Sequence, residues 1–162
     1  MSTQLTLDQE IQVKHLVKRV LHFLAIRSRS RQEVIDYLKR HTHRNKHLVD
    51  ITLVKIDHFN ILNDTAFAQE FAIAKLHHGK GPYWISHGLK QKGIERSIIL
   101  ETLRNLDQDS ILSSAKQLIG KKIPGWQSLD PFHRKAKAMT YLYGKGFDRS
   151  TIDAVIDECL HS

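Results

Sequence analysis

A chain of 162 residues with a 41% apolar fraction has room for one domain or a row of small modules. Its longest purely apolar runs are a few residues, against ~20 for a spanning helix, so no membrane span is expected. Residues 1–10 are polar with two acids, unlike a signal peptide, and the single cysteine, Cys159, excludes an internal disulfide. A cytoplasmic protein follows as the expectation.

The net charge of +8 is unevenly spread. Residues 1–46 hold ten Lys/Arg against four Asp/Glu, and residues 47–162 hold fifteen against thirteen. An anionic partner, nucleic acid or an acidic protein surface, is the reading this favours.

Val13, Leu16, Val17, Val20, Leu21 and Leu24 form the first apolar stripe at helical spacing. After a break at Arg27-Ser28-Arg29, Ser30 with Glu33 reads as a capping box opening a second helix. That helix carries Val34, Ile35 and Leu38 inward and ends near 41–45. A third covers about 47–59, with Val49, Leu53 and Ile56 on one face. Asp64 is then placed to cap a helix carrying Phe67, Phe71 and Ala74, which stops at His78-Gly79-Lys80-Gly81.

Pro82 suits the first turn of the next helix, with Ile85 and Leu89 inward and Gly93 at its end. Helices with Ile98, Ile99, Leu103 and Leu106, and then Ile111, Leu112, Ala115, Leu118 and Ile119, follow. Residues 122–129 read as a loop containing Trp126. Asp130-Pro131 opens a helix carrying Ala136, Met139 and Tyr143. Phe147, Asp148 and Ile152 have the form of a staple and cap before the last helix. The pattern is all-α, about nine helices in three groups of three: 1–60 with the basic N-terminal region, 61–107 and 108–162.

An internal repeat supports that grouping. Residues 89–103 and 142–156, offset by 53, share six of fifteen identities: Leu89/Leu142, Lys92/Lys145, Gly93/Gly146, Arg96/Arg149, Ser97/Ser150 and Ile99/Ile152. A glycine ends one helix, an apolar residue holds the corner, and an acid, Glu95 or Asp148, caps the next helix. Short units of this kind cover their exposed ends by stacking, so an elongated, curved array is expected.

Chemistry is sparse. His41, His43 and His47 fall in a polar turn and His77-His78 at a helix end, without a cysteine or acid at zinc-like spacing. Gly79-Lys80-Gly81-Pro82 lacks the strand and the Lys-Ser/Thr of a phosphate loop and reads first as a tight turn. No catalytic, metal or cofactor site is expected, and an enzyme is the least supported class. Partner or nucleic-acid contact is expected at Lys14, Lys18, Arg19, Arg27, Arg29 and Arg31. Lys80, Tyr83, Trp84, Lys92 and Arg96 belong to a central group, and Lys121, Lys122, Arg134 and Lys135 to a third. Tyr83 and Trp84 fit an interface or base-stacking role as well as a core contact.

Asp64 is followed by Phe67-Ala68, then Gly81-Pro82-Tyr83-Trp84-Ile85, then Leu89-Lys90-Gln91-Lys92-Gly93-Ile94. In their order and spacing these motifs resemble the RecX family of bacterial regulatory proteins. Ser30-Arg31-Gln32-Glu33-Val34 through Leu38, and the terminal 144–156 segment, add to the resemblance, which spans about residues 13–160. It implies a three-helix repeat protein, a monomer, that binds the RecA recombinase filament on single-stranded DNA. Such a protein limits ATP hydrolysis and strand exchange in recombination, DNA repair and the SOS response. Direct contact with single- or double-stranded DNA is also implied, and a sequence-nonspecific DNA-binding protein without a filament partner is the alternative. The family often has a basic pair after the Gly-Pro step. Tyr83-Trp84 stands there in this chain, so the equivalent contact would be aromatic rather than ionic.

Overall fold

The computed structural model describes residues 5–160. Among them lie nine α-helices, one short 3-10 helix and no strand. They are α1 (Leu7–Ile26), α2 (Arg31–His41), α3 (Lys46–Asp57), α4 (Asp64–His77), α5 (Pro82–Gln91), α6 (Arg96–Arg104), α7 (Gln108–Gly120), α8 (Pro131–Gly144) and α9 (Arg149–Leu160). The chain divides into two compact units. Unit 1 takes the described residues up to Phe67 together with Lys92–Ile94; unit 2 takes Ala68–Gln91 and the described residues from Glu95 onward.

In unit 1, α1, α2 and α3 each pack against the other two. Leu16 and Val20 from α1, Val34 and Leu38 from α2, and Val49, Leu53 and Ile56 from α3 form one buried cluster. Each such side chain contributes about 1.5–3 kcal/mol when fully removed from water. Helix α1 begins well before the apolar stripe at Val13, because Thr6 and Gln9 form a capping box that satisfies its first N–H groups. Ser30 and Glu33 form the expected box on α2.

Asp64 departs from its expected role. Asn63 Oδ1 accepts the α4 hydrogen bond from Ala66 N–H at 2.9 Å. The Asp64 carboxylate instead accepts from Arg31 N–H, at 2.8 Å, and so supports the first turn of α2. An asparagine one residue earlier has the shorter reach to α4.

In unit 2, α9 packs on α7 and α8, and α5 packs on α6. Ile111, Ala115, Ile119, Ala138, Leu142, Phe147, Ile152, Val155 and Ile156 are buried. The inward stripe of α8 is Ala138 and Leu142; Ala136 and Tyr143, expected inside, are exposed. Several apolar residues in α8 permit two registers, and packing selects one of them. Residues 122–129 are not simply loop: Ile123–Trp126 forms the 3-10 turn and buries Trp126. Asp148 accepts from Thr151 N–H at 2.8 Å and caps α9. Its repeat partner Glu95 makes no capping bond to α6 and accepts from Ser97 Oγ instead. The extra methylene moves the glutamate carboxylate off the helix axis.

The repeated Lys-Gly pair acquires a structural meaning. In unit 1, Lys92 C=O accepts from Ser30 Oγ at 2.7 Å, and a Cβ on Gly93 (φ +72°) would lie 2.6 Å from Gln32 Cβ. In unit 2, Lys145 C=O accepts from Gly81 N–H at 2.8 Å and Gly146 C=O from Tyr83 N–H at 3.0 Å. A Cβ on Gly146 (φ +86°) would lie 2.7 Å from Trp84 N. Each Lys-Gly corner therefore seats the N-terminus of another helix, α2 in one unit and α5 in the other. Only glycine allows both the positive φ and the close approach.

Candidate functional site

The basic residues singled out from the sequence fall into two physical classes. Lys14, Lys18 and Arg19 point outward from α1 and are exposed. Spacings of three and four place Lys14 and Lys18 on one stripe, and His15, Arg19 and His22 on the adjoining one. Lys14, Lys18 and Arg19 make a cationic patch at the middle of α1.

Arg27, Arg29, Arg31 and Lys92 are engaged within unit 1. Glu33 Oε1 meets Arg27 Nη2 at 2.9 Å and Lys92 Nζ at 2.8 Å, with Arg29 Nη1 at 4.0 Å. Burial pushes the Glu33 carboxyl up. The hydrogen bonds from Lys92, Arg27 and Ser30 N–H outweigh that and hold it below its ordinary value. Arg29 lies over the Phe23 ring at 4.0 Å, Phe23 stacks on Tyr37 at 4.3 Å, and Tyr37 meets His41 at 4.1 Å. Desolvation, then the neighbouring Arg27, lowers the Arg29 pKa. Arg31 pairs with both carboxylate oxygens of Asp57, at 2.6 and 2.8 Å, which holds the Asp57 carboxyl low. Arg27 and Arg29 tie the joint after α1 to Glu33 of α2, and Arg31 ties the start of α2 to the end of α3.

In unit 2 the Gly79–Pro82 turn presents a mixed cationic and aromatic surface. Lys80 Nζ lies 4.6 Å and Lys75 Nζ 5.5 Å from the Trp84 ring centroid, and Lys75 also lies 5.3 Å from Phe71. Such pairs are worth about 0.5–1 kcal/mol at exposed sites. Gly88 leaves room for the Phe71 ring; a Cβ there would lie 2.8 Å from Phe71 Cζ. Tyr83 is 67% exposed and faces solvent, while Trp84, at 36%, is partly covered and keeps part of its surface open. The N–H of Tyr83 is taken by Gly146, so the start of α5 is closed by backbone, as expected of a tight turn.

Lysines also gather around the buried Trp126 and half-buried Tyr141, whose rings meet edge to face at 6.1 Å. Lys122 and Lys145 approach Tyr141 at 5.5 and 5.3 Å, and Lys137 approaches Trp126 at 5.7 Å. Arg134 is committed to the chain, donating from Nη2 to the carbonyls of Gln127 and Leu129. Lys121, Lys135 and Arg96 are exposed. Lys75, Lys137, Tyr141 and Lys145 were not among the expected contact residues. Their signal was present as a lysine four, nine or eleven positions from an aromatic residue, but lysine in that setting is too common to single out.

No group of three or more His, Cys, Asp or Glu among the described residues is placed to hold a metal. His133 meets Asp130 at the start of α8, where Asp130 also accepts from the N–H of Phe132 and His133; both side chains are exposed. That is a helix cap. No helix among the described residues is long and apolar enough to cross a membrane.

Two family profiles match the chain. One describes the second three-helix domain of RecX and matches residues 63–103; the other describes the third and matches residues 108–156. The regulatory protein RecX of Prosthecochloris aestuarii is 34% identical over 148 residues, which cover 89% of this chain and 93% of that one. The chain belongs to the RecX family. Regulatory protein RecX of Bacillus velezensis is 32% identical over 151 residues, covering 90% of this chain and 56% of its own. Against that relative and several others the chain spans about half of their length. The crystal structure of RecX from Lactobacillus salivarius matches with a TM-score of 0.83 over 94% of this chain and 97% of that one. At 23% identity this is a likeness of fold.

Proposed function

We propose that this RecX-family chain binds the RecA filament assembled on single-stranded DNA and limits its ATP hydrolysis and strand exchange, without catalytic chemistry of its own. Membership of a regulatory family carries the reading. The surfaces described above fit it: an outward cationic patch on α1, Tyr83 and Trp84 with the half-buried Lys80 over the Trp84 ring, and exposed Arg96, Lys121 and Lys135. Several modest patches acting together on a polymer give strong attachment without a deep pocket. Cations on α1 meet phosphate or acidic side chains, and Trp84 and Tyr83 supply the broad ring contacts common at interface centres. The protein acts as a monomer in the cytoplasm and shifts the filament toward an inactive state by binding that state more tightly.

Strand exchange by RecA, titrated with this protein, tests the reading. The parent chain is expected to inhibit it. Trp84→Ala with Lys80→Gln is expected to need about tenfold more protein for the same effect. Strand exchange that proceeds undiminished at saturating parent protein refutes the proposal.

A further inference from the structure

Unit 1 contains a cleft of about 1020 Å³ that none of the surfaces above uses. Its floor is apolar: Phe23, Ile35, Val49 and Leu53. Its rim is cationic, built by Lys39 and Arg40 in the last turn of α2, Arg44 in the following turn, and Lys46 at the start of α3. All four are exposed, and none of them forms an ion pair among the described residues. Asp36 and Asp50 stand on the wall as well, while Glu33 is already matched by Arg27 and Lys92.

We infer that this cleft is a docking site for an acidic peptide segment of a partner protein, one that carries apolar anchors among its carboxylates. A cleft of this volume with an apolar floor has room for one or two large apolar side chains. The surrounding lysines and arginines meet carboxylates on the same segment, and Arg40 and Arg44 can do so in bidentate fashion.

A nucleic-acid strand fits less well, for two reasons on the page. Base binding needs an open aromatic face, and both faces of Phe23 are covered, one by Arg29 at 4.0 Å and the other by Tyr37 at 4.3 Å. Asp36 and Asp50 would also repel a phosphodiester chain, which carries a charge at every step. A peptide can leave those positions neutral. This inference concerns a surface separate from the Lys80–Trp84 region and stands whether or not RecA is the partner.

The test uses the full chain and fluorescence anisotropy. One probe is a labelled peptide of Glu and Asp with a Leu and a Phe one helical turn apart. The second is the same peptide with Ser in place of both apolar residues, and the third is an oligothymidylate of equal charge. The first is expected to bind about tenfold more tightly than the second. Arg40→Gln with Arg44→Gln, both exposed and checked for folding by circular dichroism, is expected to weaken it about tenfold. Asp36→Asn with Asp50→Asn is expected to tighten it several-fold. Absence of peptide binding, binding indifferent to either pair of substitutions, or preferential oligothymidylate binding that is lost in the arginine variant would each overturn the inference.

Discussion

Replacing Gly146 by alanine probes the Lys-Gly corner directly. A side chain at φ +86° costs about 1–3 kcal/mol in backbone strain. The new Cβ would also lie 2.7 Å from Trp84 N and 3.0 Å from Trp84 Cβ, so the start of α5 must retreat. That retreat stretches two hydrogen bonds, Gly81 N–H to Lys145 C=O and Tyr83 N–H to Gly146 C=O. Each contributes about 0.5–1.5 kcal/mol. The sum is a loss of about 2–6 kcal/mol, large against the ~5–15 kcal/mol that holds a typical domain. Gly144→Ala, two residues away, is the control: no atom lies within 4 Å of its added Cβ, and it sits in the last turn of α8. It is expected to be neutral or to stabilise by up to about 1 kcal/mol. Urea unfolding followed by circular dichroism reads both, with near-ultraviolet signal from Trp84 and Trp126 reporting unit 2. A Gly146→Ala loss below about 1 kcal/mol, or equal effects from the two glycines, would refute the role given to the corner.

Further outcomes follow from the same contacts. Asp148→Ala removes the α9 cap and is expected to cost about 1 kcal/mol, whereas Glu95→Ala, which removes no cap, stays within about 0.5 kcal/mol; urea midpoints compare them. Arg31→Ala breaks an exposed pair with Asp57 and is expected to cost only about 0.2–1 kcal/mol by the same measurement. The folded state holds the Glu33 carboxyl below its ordinary value, so its contribution is present above the ordinary carboxylate range and is lost as pH falls through the folded value. Glu33→Gln is therefore expected to be less stable than the parent near neutral pH, with the difference shrinking as pH falls below the ordinary carboxylate range; thermal melts from neutral to acidic pH show it. A gap that widens in acid would contradict the sign.

The fold was legible in the sequence because its helices are strongly periodic and separated by glycine, proline and capping residues. Ser30–Glu33, Asp130-Pro131 and Asp148 mark helix starts that the structure contains. Reading was poorer wherever two side chains competed for one task. Asn63 and Asp64 both suit a cap, and only the fold shows that Asp64 serves α2. Ala136 and Ala138 both suit a stripe, and only packing against α9 and α7 chooses Ala138. For the candidate surfaces, composition located the charge but not its use. Arg27, Arg29 and Arg31 look identical in sequence to Lys14 and Lys18, yet Glu33, Phe23 and Asp57 hold them inside unit 1. Asp57 lies 26 residues from Arg31, beyond any local spacing rule, while Glu33 and Phe23 are near in sequence but are met only through the turn between α1 and α2.

Co-sedimentation with preformed RecA filaments on single-stranded DNA, at low salt, addresses the functional proposal most directly. The account predicts that the protein pellets with the filament in a saturable ratio and binds it far more tightly than bare DNA of the same length. Equal retention on bare DNA and filament, vanishing together as salt rises, would contradict it.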